Sequence, residues 1–326
     1  MPHVVLAPDS FKGTMTAMEV AQALALGMVD AGWTVDVCPV ADGGEGTVAA
    51  LCAPETWTTA QAVNPRGDPI VTSYGWLDPS TAVIEAAAAS GLTLIETSRR
   101  DAEAASTSGT GILIVDAVSR GATRIMIGCG GSATTDGGMG AVTAIGDAGG
   151  LRGAELELLT DVTVPFEDAA VIFGPQKGAD PAAVERLTAR LHRIAAELPR
   201  DPRGLPGTGA AGGLAGGLWS MFSATIVDGA AAVLDGVGFD SRAGGADLVV
   251  TGEGRIDEQT FHGKLISQIA RRCMAQSIRC VAVVGRNDLA DGRAADLGLE
   301  QIRTAGNPEE LRRVAREIAG PSDRQA

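Results

Sequence analysis

Lysine is nearly missing from this chain of 326 residues. Of 26 basic residues only Lys12, Lys177 and Lys264 are lysine, and the other 23 are arginine. Generic positive charge is therefore supplied by Arg. Each surviving lysine adjoins a glycine, the pattern expected where a compact ammonium is needed beside a phosphate and a planar fork would not fit. Positive charge is also short overall: 26 − 40 leaves a net charge of −14, which argues against nucleic-acid binding driven by phosphate neutralisation. An anionic ligand would have to be held by a local cluster of cations. The five cysteines, Cys38, Cys52, Cys129, Cys273 and Cys280, are odd in number and contain no CxxC pair, so they read as buried free thiols of a reducing compartment. No apolar run reaches the roughly 18 residues of a membrane span, and no charged-then-apolar leader opens the chain. The expectation is a soluble, cytoplasmic protein with neither membrane nor nucleic acid as partner.

What is abundant is glycine, 44 of 326 residues, about twice the usual ~7% share. Much of it falls in polar loops. Short apolar runs alternate with helical patterns, which implies a mostly parallel α/β sheet. His3–Pro8 and Trp33–Val40 read as strands, each emptying into a polar loop and a helix; Thr16 with Glu19 forms a capping box for the first helix. Two β-like runs flank the turn-rich Asn64–Pro69, and Thr81–Glu85 is a third. Arg124–Ile127, Leu248–Val250 and Cys280–Val284 read as further strands. Helices are expected from Ser106 to about Arg120, Pro181 to about Leu198, after Lys264 to about Gln276, and from about Pro308. Two α/β domains follow: residues 1–80 with 245–326 as a discontinuous one, and 81–244 inserted as a second.

Asp247–Lys264, DLVVTGEGRIDEQTFHGK, carries the densest chemistry. A buried strand empties into Glu253, Arg255, Asp257, Gln259, His262 and Lys264, and in open α/β sheets ligands sit beyond the carboxyl ends of strands. Familiar phosphate motifs do not fit. Glu258 stands where a P-loop ending in Gly263-Lys264 needs glycine, and Leu265 replaces its Ser/Thr. Gly128-x-Gly130-x-x-Ala133 follows a strand, but its helix is delayed behind Thr134–Gly138 and no strand-end acid follows about 20 residues on. The three His are far apart, so acids are the better metal ligands: Asp9, Asp42, Glu45, Asp136, Glu253 and Asp257 lie in glycine-rich strand-end loops of the kind Mg²⁺ favours. Glycine loops, sparse lysines and many carboxylates fit phosphoryl transfer from Mg-ATP, which needs positioning and charge neutralisation more than a covalent nucleophile.

These motifs, in this order, resemble the bacterial class I glycerate kinases (glycerate 2-kinases). The blocks are Pro8-Asp9-Ser10-Phe11-Lys12-Gly13, Ala41–Thr47 (ADGGEGT), Glu85–Leu92 (EAAAASGL), Gly130–Gly140 (GGSATTDGGMG), Gly174–Ala179 (GPQKGA), Gly209–Leu214 (GAAGGL) and Asp247–Lys264. They span nearly the whole chain. Departures are Thr135 where the family usually has Asn, Arg100-Asp101-Ala102 for Arg-Asn-Pro, and Ile112-Leu113 for Glu-Leu. The resemblance implies two α/β domains with the active site in the cleft between them. It implies ATP- and Mg²⁺-dependent phosphorylation of D-glycerate, favouring 2-phosphoglycerate over 3-phosphoglycerate. A kinase for another small hydroxyacid, or a non-catalytic nucleotide or hydroxyacid sensor, is the alternative.

The expected roles follow. Lys12 and Lys264 meet the transferring phosphates, assisted by Ser10 and the Gly13 N–H. Arg255 holds the substrate carboxylate, with Gln259 and His262 as further substrate contacts. Asp42, Asp136 or Asp257 takes the hydroxyl proton, Asp42 being marginally preferred. Asp9 or Glu253 helps to hold Mg²⁺. Gly130, Gly131, Ser132, Gly137, Lys177, Gly212 and Gly213 contact the nucleotide.

Overall fold

The structure is a computed structural model that describes residues 1–262, 264–290 and 292–320, without the side chains of Gln259 and His262. Among the described residues the strands are β1 (His3–Pro8), β2 (Thr34–Val37), β3 (Thr58–Val63), β4 (Pro69–Asp78), β5 (Thr81–Glu85), β6 (Arg124–Gly128), β7 (Glu155–Thr160), β8 (Thr225–Asp228), β9 (Leu248–Ile256), β10 (Arg279–Asn287) and β11 (Gln301–Thr304). The chain divides into two compact units, Met1–Asp42 with Ala230–Ala326, and Gly43–Gly229.

The first unit is built on a five-stranded sheet in the order β11-β10-β9-β1-β2, and every pairing is parallel. Strands covered on both faces must be apolar throughout rather than alternating. β1 and the first halves of β9 and β10 meet that requirement, with Val4–Ala7, Leu248–Val250 and Val281–Val284 all fully buried. Helix Ala17–Asp30 starts at the Thr16–Glu19 capping box and packs on the C-terminal helix Pro308–Ala319. The crossing is close because Gly27 has no side chain: a Cβ there would lie 2.3 Å from the Arg312 carbonyl oxygen. Val20, Leu24 and Met28 meet Leu311, Val314 and Ile318 in the resulting core.

The second unit carries a six-stranded sheet in the order β3-β4-β5-β6-β7-β8. β5 to β8 run parallel, while β3, β4 and β5 are antiparallel neighbours. Asn64 shapes the β3–β4 turn by accepting N–H bonds from Arg66 (2.8 Å) and Asp68 (3.0 Å) on one oxygen. Tyr74, Ile84, Leu113, Ile114, Ile125, Ile127 and Ile145 form the buried centre.

The compact units divide at other places than the expected domains, and one strand is longer than expected. The boundary at residues 80/81 moves to 42/43, because β4 pairs with β5 and so draws residues 57–80 into the second unit's sheet. The other moves from 244/245 to 229/230; Arg242 is tied to Asp36 and to the Val37 carbonyl of the first unit. The strand expected over Leu248–Val250 runs on to Ile256, since its partner β10 continues alongside as far as Asn287. Glu253 and Arg255 are therefore strand residues rather than loop residues.

Candidate active site

The carboxyl ends of β1, β9 and β10 bring one set of charged side chains together. Past β1 the Asp9 N–H donates to the Gly252 carbonyl (2.8 Å), and the Ser10 N–H donates to Asp9 Oδ1 (2.6 Å). The chain then makes a tight turn, closed by the Phe11 N–H on the Met15 carbonyl and by Thr14 on the Phe11 carbonyl. Phe11 is buried and anchors the turn, while Lys12 projects from its apex. β9 runs directly against it: a Cβ on Gly254 would stand 3.3 Å from both the Lys12 nitrogen and the Phe11 Cα. Beyond β2, the Val40 N–H donates to the Pro8 carbonyl and delivers Asp42 to the same place. Lys12 Nζ and Asp42 Oδ2 are 2.9 Å apart.

Three carboxylates share this neighbourhood with two ammonium groups. Asp9 is 4% exposed. Burial pushes its carboxyl up to about 7, the negative charge of Asp42 adds to that, and Lys12 opposes it. Glu253 is likewise raised to about 7 by burial, against the opposing pull of Lys264, the Thr260 hydroxyl and Lys12. The Thr260 Oγ1–H donates to Glu253 Oε1 at 3.3 Å. Burial that outweighs these partners disfavours the charged form and is characteristic of functional sites. Lys264 stands at the N-cap position of helix Leu265–Ala275, without a side-chain capping bond. Arg255 meets Asp288 at 2.6 Å and Asp257 at 3.7 Å through Nε. Lys12, Lys264, Asp9, Asp42 and Glu253 thus converge, with Arg255 and Asp257 on the same strand end. The expectations for Gln259 and His262 fall on side chains outside those described.

A second group lies wholly in the other unit. The loop after β6 packs on the loop that follows Asp42: a Cβ on Gly130 would meet the Gly44 Cα at 2.6 Å. Gly131 has φ +70° and Gly137 φ +66°, and the Gly137 N–H donates to the Gly212 carbonyl. Gly212, at φ +68°, allows Ala211–Gly213 to lie against this loop; a Cβ on it would be 1.9 Å from the Thr134 oxygen. Gly130, Gly131, Ser132, Gly137, Gly212 and Gly213 are therefore brought together.

Two residues of this group behave differently from expectation. Asp136 is 2% exposed, and its oxygens accept from the Thr107 N–H and hydroxyl and from the Gly138 and Gly140 N–H groups. Fixed by four hydrogen bonds at the start of helix Met139–Asp147, it is a poor candidate for a proton acceptor. Lys177 is also 2% exposed. Its Nζ donates to the Thr134 carbonyl (2.6 Å) and to Ser132 Oγ (3.1 Å), and burial pushes its ammonium down to about 7. It ties the glycine loop internally, so the three lysines do not share one role.

Sequence reasoning passed over Thr260, Asp288 and Glu85. Thr260 lay inside the stretch singled out, but nothing in its spacing tied it to Glu253. Glu85 Oε1 accepts from the Gly46 and Val48 N–H groups, capping helix Thr47–Leu51 from 39 residues away. Such a contact has no local signature.

A carboxylate–ammonium cluster at strand ends and a packed glycine loop suit phosphoryl transfer, which rests on positioning and charge neutralisation. The profile of the glycerate kinase family matches residues 4–149 and 147–320. The chain is 36% identical to a glycerate kinase of Halalkalibacterium halodurans, over 87% of this chain and 86% of that one. It is 38% identical to the glycerate 2-kinase of Escherichia coli K12, over 82% of each. A crystal structure assigned as glycerate kinase 2 from Salmonella typhimurium LT2 superposes with a TM-score of 0.82 at 34% identity, covering 98% of this chain and 97% of that one. The chain belongs to the glycerate kinase family and is an enzyme of the kinase class. No described helix is long and apolar enough to cross a membrane.

Among the described residues no three His, Cys, Asp or Glu side chains are grouped so as to hold a metal by themselves. Mg²⁺ in kinase sites ordinarily takes one or two carboxylates and completes its shell with water and phosphate. Asp9 and Glu253 fit that donor set: both are hard oxygen ligands whose burial a cation would relieve.

Proposed function

We propose that this protein transfers the γ-phosphoryl group of ATP to the 2-hydroxyl of D-glycerate, giving 2-phosphoglycerate and ADP, in the cytoplasm. The observation that carries the reading is the Lys12–Asp42 pair at 2.9 Å beside the buried Asp9 and half-buried Glu253 carboxyls, both raised to about 7. That arrangement supplies a cation for phosphate and a carboxylate for a hydroxyl proton. In the transfer the substrate oxygen bonds to the γ-phosphorus while the bond from phosphorus to the ADP oxygen breaks. Asp42 takes the hydroxyl proton, with Asp257 as the alternative acceptor. Lys12 and Lys264 neutralise charge on the transferring phosphates, and Ser10 and the Gly13 N–H assist; positioned cations of this kind act where charge develops. Arg255 receives the glycerate carboxylate. Gly130, Gly131, Ser132, Gly137, Gly212 and Gly213 contact the nucleotide, and Lys177 supports that loop from within.

Asp9 and Glu253 are the residues that would hold Mg²⁺, which in kinases neutralises charge on the phosphates. Names of relatives at 36–38% identity support the glycerate reading. ADP release coupled to NADH oxidation on adding D-glycerate tests it. A purified protein that consumes no ATP with D-glycerate, yet does so with another hydroxyacid in a panel, reassigns the substrate. Phosphorus NMR of the product separates 2- from 3-phosphoglycerate.

A further inference from the structure

Arg255 and Arg286 stand directly side by side in the register of β9 and β10. The strands are parallel, so the two side chains leave the same face, with backbones roughly 4.8 Å apart. Like charges in adjacent positions of a sheet oppose each other, and something must compensate for bringing them together. Asp288 does so. Its Oδ2 lies 2.6 Å from Arg255 Nε and its Oδ1 lies 2.6 Å from Arg286 Nε. Arg286 donates a hydrogen bond to Asp288 through Nε, Arg255 meets it as a close ion pair, and the other N–H donors of each guanidinium face away from these contacts. Asp257 approaches Arg255 only to 3.7 Å, again at Nε. The arginine side chains are 58% and 70% exposed, so this is not a buried ion pair serving the core. It sits at the carboxyl ends of neighbouring parallel strands, where open α/β sheets bind ligands, and Val284, two residues before Arg286, is in register with Glu253.

We infer that Arg286 is a second substrate-binding residue, acting with Arg255 as a paired guanidinium clamp that Asp288 holds in line for the carboxylate of the hydroxyacid substrate. The inference rests on the hydroxyacid kinase reading above. A carboxylate offers two oxygens and about four lone-pair directions, enough for both forks, and the planar fork rather than charge alone sets the fit. In a chain of net charge −14, Arg286 offsets the second of the two acids, Asp257 and Asp288, that flank Arg255, where a single Arg beside both would be outweighed.

Steady-state kinetics of wild type, Arg286→Ala and Arg286→Lys, varying D-glycerate and ATP separately, test it. Arg286→Ala is expected to raise KM for D-glycerate about tenfold or more, the loss of one charge-assisted bond, with KM for ATP within about twofold. Arg286→Lys should recover only part of the loss, because it returns the charge without the fork. A merely structural Arg286–Asp288 contact would lower the melting temperature and leave KM for D-glycerate where it was. An unchanged KM for D-glycerate in an active Arg286→Ala enzyme overturns the inference, as does a rise confined to KM for ATP. Absence of wild-type turnover on D-glycerate sinks the function itself, so the two failures are told apart by the wild-type control.

Discussion

Lys12 presents the clearest separation of chemistry from stability. Its side chain is 63% exposed and paired with Asp42, and an exposed ion pair contributes only about 0–1 kcal/mol. Lys12→Ala should therefore leave the melting temperature within a degree or two of wild type. Turnover should nevertheless fall on the order of a hundredfold or more, the usual scale for removing a preorganised charge-stabilising group. Paired calorimetry and coupled assay read both quantities, and near-native turnover would remove Lys12 from the mechanism. Asp9 should behave in the opposite way. Its carboxyl is raised to about 7 chiefly by burial, so at pH 8 the folded state holds a charge it poorly tolerates. In metal-free buffer at pH 8, Asp9→Asn should stabilise the fold by about 1 kcal/mol or more, while activity is lost. An Asn variant less stable than wild type at pH 8 would contradict the burial argument.

Elements make plain which features could be read in the chain and which could not. β1, β5 and β6 were legible because buried parallel strands are continuous apolar runs with turn residues at both ends. The far half of β9 was not: Gly252, Glu253, Gly254 and Arg255 look like a loop, and only the partner strand beside them makes them a strand. The short edge strands β8 and β11, four residues each, carry too few residues for a periodic signal. In the candidate site, residue types and neighbourhoods were legible from glycine-flanked charge. The burial that distinguishes Lys177 from Lys12, and the four bonds that enclose Asp136, depend on long-range packing. Glu85 is the sharpest case. Helix Thr47–Leu51 begins at Gly46, which has no capping side chain, so Glu85 supplies the acceptor for the Gly46 and Val48 N–H groups at 3.0 and 2.9 Å. Glu85→Ala should cost about 1–2 kcal/mol, the size of a lost helix cap, and loosen the ADGGEGT segment. Urea denaturation together with proteolytic cleavage confined to residues 43–48 would register it; unaltered stability would mean that the helix start does not depend on Glu85.

At the scale of the molecule, the two units answer to pH with opposite sign. In the first, Asp9 and Glu253 are raised to about 7 from ordinary values of 3.8 and 4.5. The folded unit keeps protons that the unfolded chain releases, so its stability falls as pH climbs from about 4 to 7 and is level above that. In the second, burial lowers Lys177 to about 7 from 10.5. Below pH 7 both states carry that proton and the full cost of the buried charge is present. Above pH 7 the unfolded chain binds more protons than the folded one, and stability rises. Buried thiols such as Cys38 and Cys129, pushed up to about 11 and about 12, act only where the unfolded thiol ionises, above about 8.5. The window from pH 7 to 8.5 therefore isolates Lys177. Amide exchange, corrected for the intrinsic rate, should show the protection of β5, β6 and β7 increasing by about 1–2 kcal/mol across that window, while β1, β9 and β10 stay level. Lys177→Met should abolish the rise, because the hydrophobic side chain removes the titrating group while filling most of its volume. An equal rise in the variant, or a rise in the first unit's strands instead, would show that the buried ammonium is not the source.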